Sequence, residues 1–152
     1  MTTHFQCLPF EELSTTELYE IMALRQLVFV VEQNCPYLDA DGKDLSAWHL
    51  LCRNSKGTLI AYTRLLPKGI SYPDYPSIGR VVNHPEVRGT GIGKQLMEKS
   101  IALCIYLFGN EPIKIGAQRY LKTFYEGHGF VATGEEYLED GIPHLKMIRP
   151  AS

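Results

Sequence analysis

SIGRVVNHPEVRGTGIGK, from Ser77 to Lys94, is the stretch that decides how this chain folds. A short apolar run (Ile78, Val81, Val82) stops at Pro85. Gly89, Gly91 and Gly93 follow at alternate positions, with Arg88 in front and Lys94 behind, and then a helical pattern begins. The order is strand, loop rich in bare backbone N–H groups, helix N-terminus. Such a loop holds an anion, and a pyrophosphate fits it best.

Three phosphate loops compete for the segment. A Walker A loop needs Gly-x-x-x-x-Gly-Lys followed by Ser or Thr. Here Arg88 stands in place of the first glycine and Gln95 in place of the hydroxyl. A dinucleotide fingerprint needs Gly-x-Gly-x-x-Gly and an acidic residue about 20 positions later. The third glycine comes one residue early, and Glu111 falls in a turn. The third pattern, Arg or Gln-x-x-Gly-x-Gly or Ala, fits as Arg88-x-x-Gly91-x-Gly93. There the chain resembles the GNAT acetyltransferase superfamily, whose acyl-CoA pyrophosphate loop has this form. Arg88 and Lys94 add positive charge, and Arg can contact phosphate in bidentate fashion.

Length and composition set outer limits. The 152 residues suit a single domain, residues 1–152, with one real core. A formal net charge of −2 argues against non-specific nucleic-acid binding. No apolar run approaches the ~20 residues of a membrane helix. Met1-Thr2-Thr3-His4 does not open a signal peptide. Cys7, Cys35, Cys52 and Cys104 form no C-x-x-C pair, which disfavours zinc. They read as thiols in a reducing cytoplasm. Asp39-x-Asp41-x-Lys43 breaks a calcium loop at its third ligand. No metal is expected.

Periodicity places the elements. His4 to Leu8 reads as a strand ended by Pro9. Ser14-Thr15-Thr16-Glu17 has the form of a capping box, and the helix behind it runs to about Val31. Residues 32–47 are a polar connection. Trp48 to Arg53 and Thr58 to Leu66 form a hairpin. A proline-rich loop leads to the strand Ile78 to Asn83. The helix from Gly91 stops at Gly109-Asn110. A strand over 113–117, a short helix ending near Gly127, and strands over 130–133 and 144–148 complete the order, with a turn over 140–143. This implies one mixed α+β sheet.

The segment Gln118 to Phe130, QRYLKTFYEGHGF, carries the superfamily's second motif, Phe-Tyr-x-x-x-Gly-Phe, as Phe124-Tyr125 and Gly129-Phe130. Within the superfamily the chain is similar to the ElaA-like acetyltransferases. Three stretches carry this: Leu24 to Gln33 with Cys35-Pro36-Tyr37, Asp39, Asp41, Asp44 and His49; Gly79-Arg80-Val81-Val82 with the loop after it; and Gly134, Tyr137, Glu139 to His144 and Met147. The resemblance implies an α+β GNAT acyl-CoA N-acyltransferase fold, a central mixed, mostly antiparallel β-sheet flanked by helices on both faces. Homodimers are common in the superfamily.

The resemblance also implies roles. Val81, Val82 and Asn83 would pair with the pantetheine arm. Arg88, Gly89, Thr90, Gly91, Ile92, Gly93 and Lys94 would cradle the pyrophosphate. Gln118 stands where many relatives carry Asn near the cofactor. Tyr125 stands where the family tyrosine faces the sulfur, as general acid. Glu32, His144 and His49 are candidates for the base. Arg80 and His49 fall on the acceptor side, where Arg80 could hold Asp39, Asp41 or Asp44. The acidic loop could instead select a cationic acceptor. The leading expectation is an acetyl-CoA-dependent N-acetyltransferase acting on a primary amine of a small molecule, peptide or protein. The alternatives are a non-catalytic acyl-CoA-binding sensor, and an acyltransferase that makes an ester or takes a longer acyl group.

Overall fold

The computed structural model describes residues 2–152; Met1, part of the N-terminal reading above, lies outside them. Seven strands and three α-helices follow in the order β1 (Thr3–Pro9), α1 (Thr15–Arg25), β2 (Trp48–Asn54), β3 (Leu59–Leu66), β4 (Ser77–Asn83), α2 (Ile92–Phe108), β5 (Ile113–Gln118), α3 (Lys122–Glu126), β6 (Val131–Glu139) and β7 (Ile142–Arg149). The expected α+β class holds, with one refinement. The strands form a four-stranded sheet, β1-β2-β3-β4, and a three-stranded sheet, β5-β7-β6. Every pairing within them is antiparallel.

The capping box forms as the sequence indicates. Ser14 Oγ accepts from the Glu17 amide at 3.0 Å, and Glu17 Oε1 accepts from the Ser14 amide at 2.8 Å. The helix does not run on unchanged to Val31. After Arg25 it widens into a π-turn over Gln26–Glu32, closed by Gln33 N–H to Val28 O and Cys35 N–H to Val30 O. Such a widening shifts the side chains beyond it and is common at functional sites.

Strand β3 is buried along its whole length, because helices cover both faces of the sheet. Ile21, Leu24 and Val28 pack against Leu51, Leu59 and Tyr62 on one side. Ile92, Leu96 and Val87 pack against Leu50, Cys52 and Ala61 on the other. A strand buried on both faces loses the alternating pattern and reads as a continuous apolar run.

The C-terminal hairpin corrects the expected boundaries. Strand β6 continues to Glu139, well past 133, across a register shift between Ala132 and Glu136 where Gly134 takes φ +94°. Only Asp140 and Gly141, both at positive φ, make the turn; Ile142 and Pro143 already belong to β7. Two central residues at positive φ match the twist of a tight hairpin.

The two sheets meet between β4 and β5. A hydrogen bond from Lys114 N–H to Pro76 O, at 3.1 Å, joins them near the start of both strands. Beyond it no strand pairs with that edge of β4 among the described residues. The strands part, and a cleft opens between them.

Candidate active site

The cleft encloses about 1020 Å³ and is walled by β4, the end of β5, α3, the π-turn and the β6–β7 hairpin. Its first wall is the free edge of β4. Opposite Thr63 of β3, β4 carries both Arg80 and Val81, a bulge in the ladder. Arg80 sits there at φ +48°, a region that side chains seldom occupy. The bulge turns Val81, Val82 and Asn83 along the cleft, and all three line it.

The glycine loop stands at one end. Gly89 and Gly91 take φ +78° and +86°, conformations that bring successive N–H groups round toward one side. Gly91 caps α2 with no side-chain bond, and no acidic residue occupies the first turn. The positive end of a 17-residue helix is therefore left open. Gly93 answers a different need. A Cβ there would lie 3.0 Å from Asn83 Nδ2, so glycine lets the helix approach β4. Asn83 lines the cleft, and its Oδ1 is a buried acceptor without a protein partner.

The expected cofactor residues fall into two groups. Val81, Val82, Asn83, Arg88, Gly93 and Gln118 line the cleft. Gly89, Thr90, Gly91 and Lys94 are exposed at its mouth. Ile92 buries its side chain in the core and can offer only its backbone. An open helix terminus, a close-approach glycine, an unpaired strand edge and an orphaned acceptor together fit an acyl-CoA.

Tyr125 lines the cleft from α3 and is 6% exposed. Phe124 and Phe130 meet its ring edge-on, with centroids 5.2 and 5.9 Å away. Burial pushes its phenol well above the ordinary tyrosine range, and Tyr120 adds to this. The group therefore stays protonated at neutral pH.

The candidate bases differ. Glu32 lines the cleft, but its oxygens receive Arg88 Nη1 and Nη2 at 2.7 and 2.6 Å. That hydrogen bonding holds its carboxyl below the usual range. His144 also lines the cleft. Its Nδ1 lies 2.8 Å from Ile142 O, a contact that places a proton on Nδ1. Nε2 faces Glu139 Oε2 at 3.4 Å. His49 is corrected on both counts proposed for it. It is 0% exposed and absent from the cleft wall, with Nδ1 2.6 Å from Tyr62 Oη and Nε2 3.0 Å from Asp44 O. Strand β2 is buried on both faces at this point, so its ring supports the loop beneath the site.

The acidic loop is likewise not free to select a cation. Arg25, 0% exposed, binds Asp39 Oδ2 at 2.7 Å and Asp44 Oδ1 at 2.7 Å. Arg64 donates to Asp41 at 2.6 and 2.8 Å and reaches Asp44 at 3.1 Å. Arg80 Nε lies 2.8 Å from Asp39 Oδ1, off the N–H direction, so that contact is coulombic rather than a hydrogen bond. Three arginines and three aspartates thus pin residues 39–44 against β3 and the β4 bulge. The expected link between Arg80 and this loop is present, and it holds Arg80 in its unusual conformation.

Periodicity alone missed the far end of the cleft. Tyr72, Tyr137 and Lys146 meet there, with Lys146 Nζ 4.4 Å from the Tyr137 ring centre and 4.9 Å from that of Tyr72. A Cβ on Gly116 would collide with Tyr137 Oη, so the glycine admits the tyrosine. Strand alternation offered a signal: Gly116 pairs with Lys146 and Gln118 with His144, which sets all four on one face.

The chain is similar in sequence and fold to known proteins. The sequence pattern of the family described as Acetyltransferase (GNAT) domain matches residues 43–149. Protein ElaA of Escherichia coli is 43% identical over 148 residues, covering 95% of each chain. The chain belongs to the GNAT acetyltransferase family, in its ElaA-like group. The crystal structure of Escherichia coli ElaA superposes on this GNAT protein with a TM-score of 0.90 at 41% identity, covering 97% of this chain and 99% of that one. That of an acyl-CoA N-acyltransferase from Pseudomonas aeruginosa gives 0.91 at 41% identity, with the same coverage. A UPF0039 protein of Schizosaccharomyces pombe is 40% identical over 139 residues, 91% of each chain. Family membership supports acyltransferase chemistry that uses an acyl-CoA and an acceptor. Among the described residues no helix is long and apolar enough to cross a membrane.

Proposed function

We propose that this protein transfers an acetyl group from acetyl-CoA to the primary amine of an acceptor. The observation that carries the reading is the position of Tyr125. Its protonated phenol faces the same cleft as the free edge of β4 and the open N-terminus of α2.

When bound, acetyl-CoA supplies an acyl group on a sulfur that can leave as a thiol. The backbone of Val81 to Asn83 pairs with the pantetheine arm as an added strand. The N–H groups of Gly89 to Lys94 and the Arg88 guanidinium hold the pyrophosphate. Arg88 must leave Glu32 to do so. His144 Nε2 takes the proton that the amine loses as it attacks. Tyr125 Oη gives its proton to the departing sulfur and recovers one from solvent. A free alkylammonium does not attack, so Glu32, once released by Arg88, helps receive protons at the cleft mouth.

The cytoplasm is the proposed place of action. All four cysteines are free. Burial pushes the thiols of Cys7 and Cys52 to about 11 and that of Cys104 to about 12, so they stay unreactive.

The test is incubation with acetyl-CoA and a panel of amines, followed by mass analysis of products and measurement of free thiol. N-acetylated product in step with thiol supports the reading. Binding of acetyl-CoA without product from any amine or peptide class contradicts transfer.

A further inference from the structure

The far end of the cleft has a charge pattern that acetyl-CoA binding does not use. Lys43, Ser71, Tyr72 and Lys146 line it. The cleft's arginines are committed: Arg64 and Arg80 to the loop aspartates, Arg88 to Glu32. Lys43 and Lys146 are not. Lys43 Nζ donates to Ser71 Oγ at 3.1 Å, and Lys146 Nζ donates to Tyr72 Oη at 3.2 Å. Neither is in an ion pair among the described residues. Ser71 and Tyr72 are neighbours, so the two ammonium groups bracket one turn of chain. Lys114 Nζ, 4.9 Å from the Tyr72 ring centre, brings a third positive charge close by.

Each ammonium has three N–H donors and spends one on a hydroxyl. Unpaired cations gathered at a partly closed cleft favour an anion there. The tyrosine rings hold Lys146 in place through its ammonium, at little entropic cost to a ligand that uses it. His144 stands two residues from Lys146 on the same face of β7, with the Tyr137 ring beside both, and Glu139 and Asp140 line the hairpin end. Positive and proton-accepting groups therefore lie side by side along one wall of the acceptor region.

From this juxtaposition we infer that the acceptor is a small amine that also bears a carboxylate, an amino acid or close analogue. Lys146 holds the carboxylate, assisted by Lys43 and the hydroxyls of Ser71 and Tyr72. The amine lies toward His144. This deepens the transfer reading above and rests on it. A polyamine or other cationic acceptor would meet unpaired lysines at this end, which disfavours it.

The experiment compares free amino acids with their carboxamides as acceptors, using the full-length protein and acetyl-CoA. For the best amino acid, kcat/KM exceeds that of its carboxamide by about tenfold or more, the size of one charge-assisted hydrogen bond. Lys146→Gln erases that preference, with the loss falling on KM, and Lys146→Arg restores part of it. Lys43→Gln, which leaves the tyrosine cage untouched, gives a smaller loss in the same direction. Equal rates for acid and amide, or better rates for diamines, overturn the inference. A calorimetric titration with N-acetyl amino acids needs no turnover. Binding to wild type that weakens about tenfold in Lys146→Gln upholds the subsite even if no acceptor turns over; equal binding to both overturns it. Failure of transfer alone therefore counts against the function, and failure of the titration against the subsite.

Discussion

Glu32 and Arg88 form a bidentate ion pair across the mouth of the cleft, with oxygen–nitrogen distances of 2.6 and 2.7 Å. Glu32 ends the π-turn and Arg88 opens the proposed pyrophosphate loop, so the pair ties the two walls together. The carboxylate occupies the guanidinium proposed to hold the pyrophosphate. Glu32→Gln removes this competitor. Acetyl-CoA should then bind about two- to fivefold more tightly, the range of an exposed ion pair. The gain should shrink as salt screens the wild-type pair. A fall in kcat in the same variant would reveal the part Glu32 plays as proton acceptor.

Tyr125→Phe keeps the aromatic packing and removes the proton. It should lower kcat by about 100-fold or more, the range of general acid catalysis, with acetyl-CoA affinity unchanged. The wild-type phenol is raised above its ordinary value near 10, so its protonated form persists past that pH. At saturating acceptor, kcat should therefore stay level up to about pH 10. An unchanged kcat in the phenylalanine variant would contradict the assignment.

Gly91→Asp should abolish acetyl-CoA binding. Nothing lies within 4 Å of the added Cβ, so the loop has room for the side chain. Its φ of +86° is one that Asp and Asn tolerate better than most residues. The effect is then electrostatic: a carboxylate at the open helix terminus repels the pyrophosphate. Gly91→Asn serves as the neutral control and should retain most of the binding, as measured by calorimetry.

Asp44 sits between Arg25 and Arg64 and is 5% exposed. Asp44→Asn leaves two buried guanidinium groups short of charge and should cost about 3–5 kcal/mol in denaturant unfolding. Burial alone would raise the carboxyls of Asp44 and Asp41, yet the arginines hold both below the usual range. Carboxyls lowered in the folded state stabilise it fully above their unfolded value of about 3.9. That contribution is lost as pH falls from there through the folded-state values. Wild type should lose stability steeply below about pH 4, and Asp44→Asn should show a shallower fall.

The sequence made the glycine loop, the Tyr125 motif and the capping box legible because each is local. Arg88, Gly91 and Gly93 lie within six residues, and Ser14 meets Glu17 three residues on. The partners of Arg25, Arg64 and Arg80 were not legible. Their aspartates lie 14 to 41 residues away, in a loop whose path only the packed sheet defines. His49 read as an acceptor-site residue because it opens a strand, but burial on both faces of β2 turns it inward. The second half of β6 was hidden by Gly134 and by exposed polar residues on an edge strand, where alternation with an apolar face fails.

The most direct measurement is calorimetric titration of the folded wild-type protein with acetyl-CoA. Saturable binding at one site, displaced by free CoA and lost in Gly91→Asp, is the predicted result. Folded protein that releases or absorbs no heat with acetyl-CoA at several temperatures, and that does not retain it on a sizing column, would contradict the assignment of the cleft.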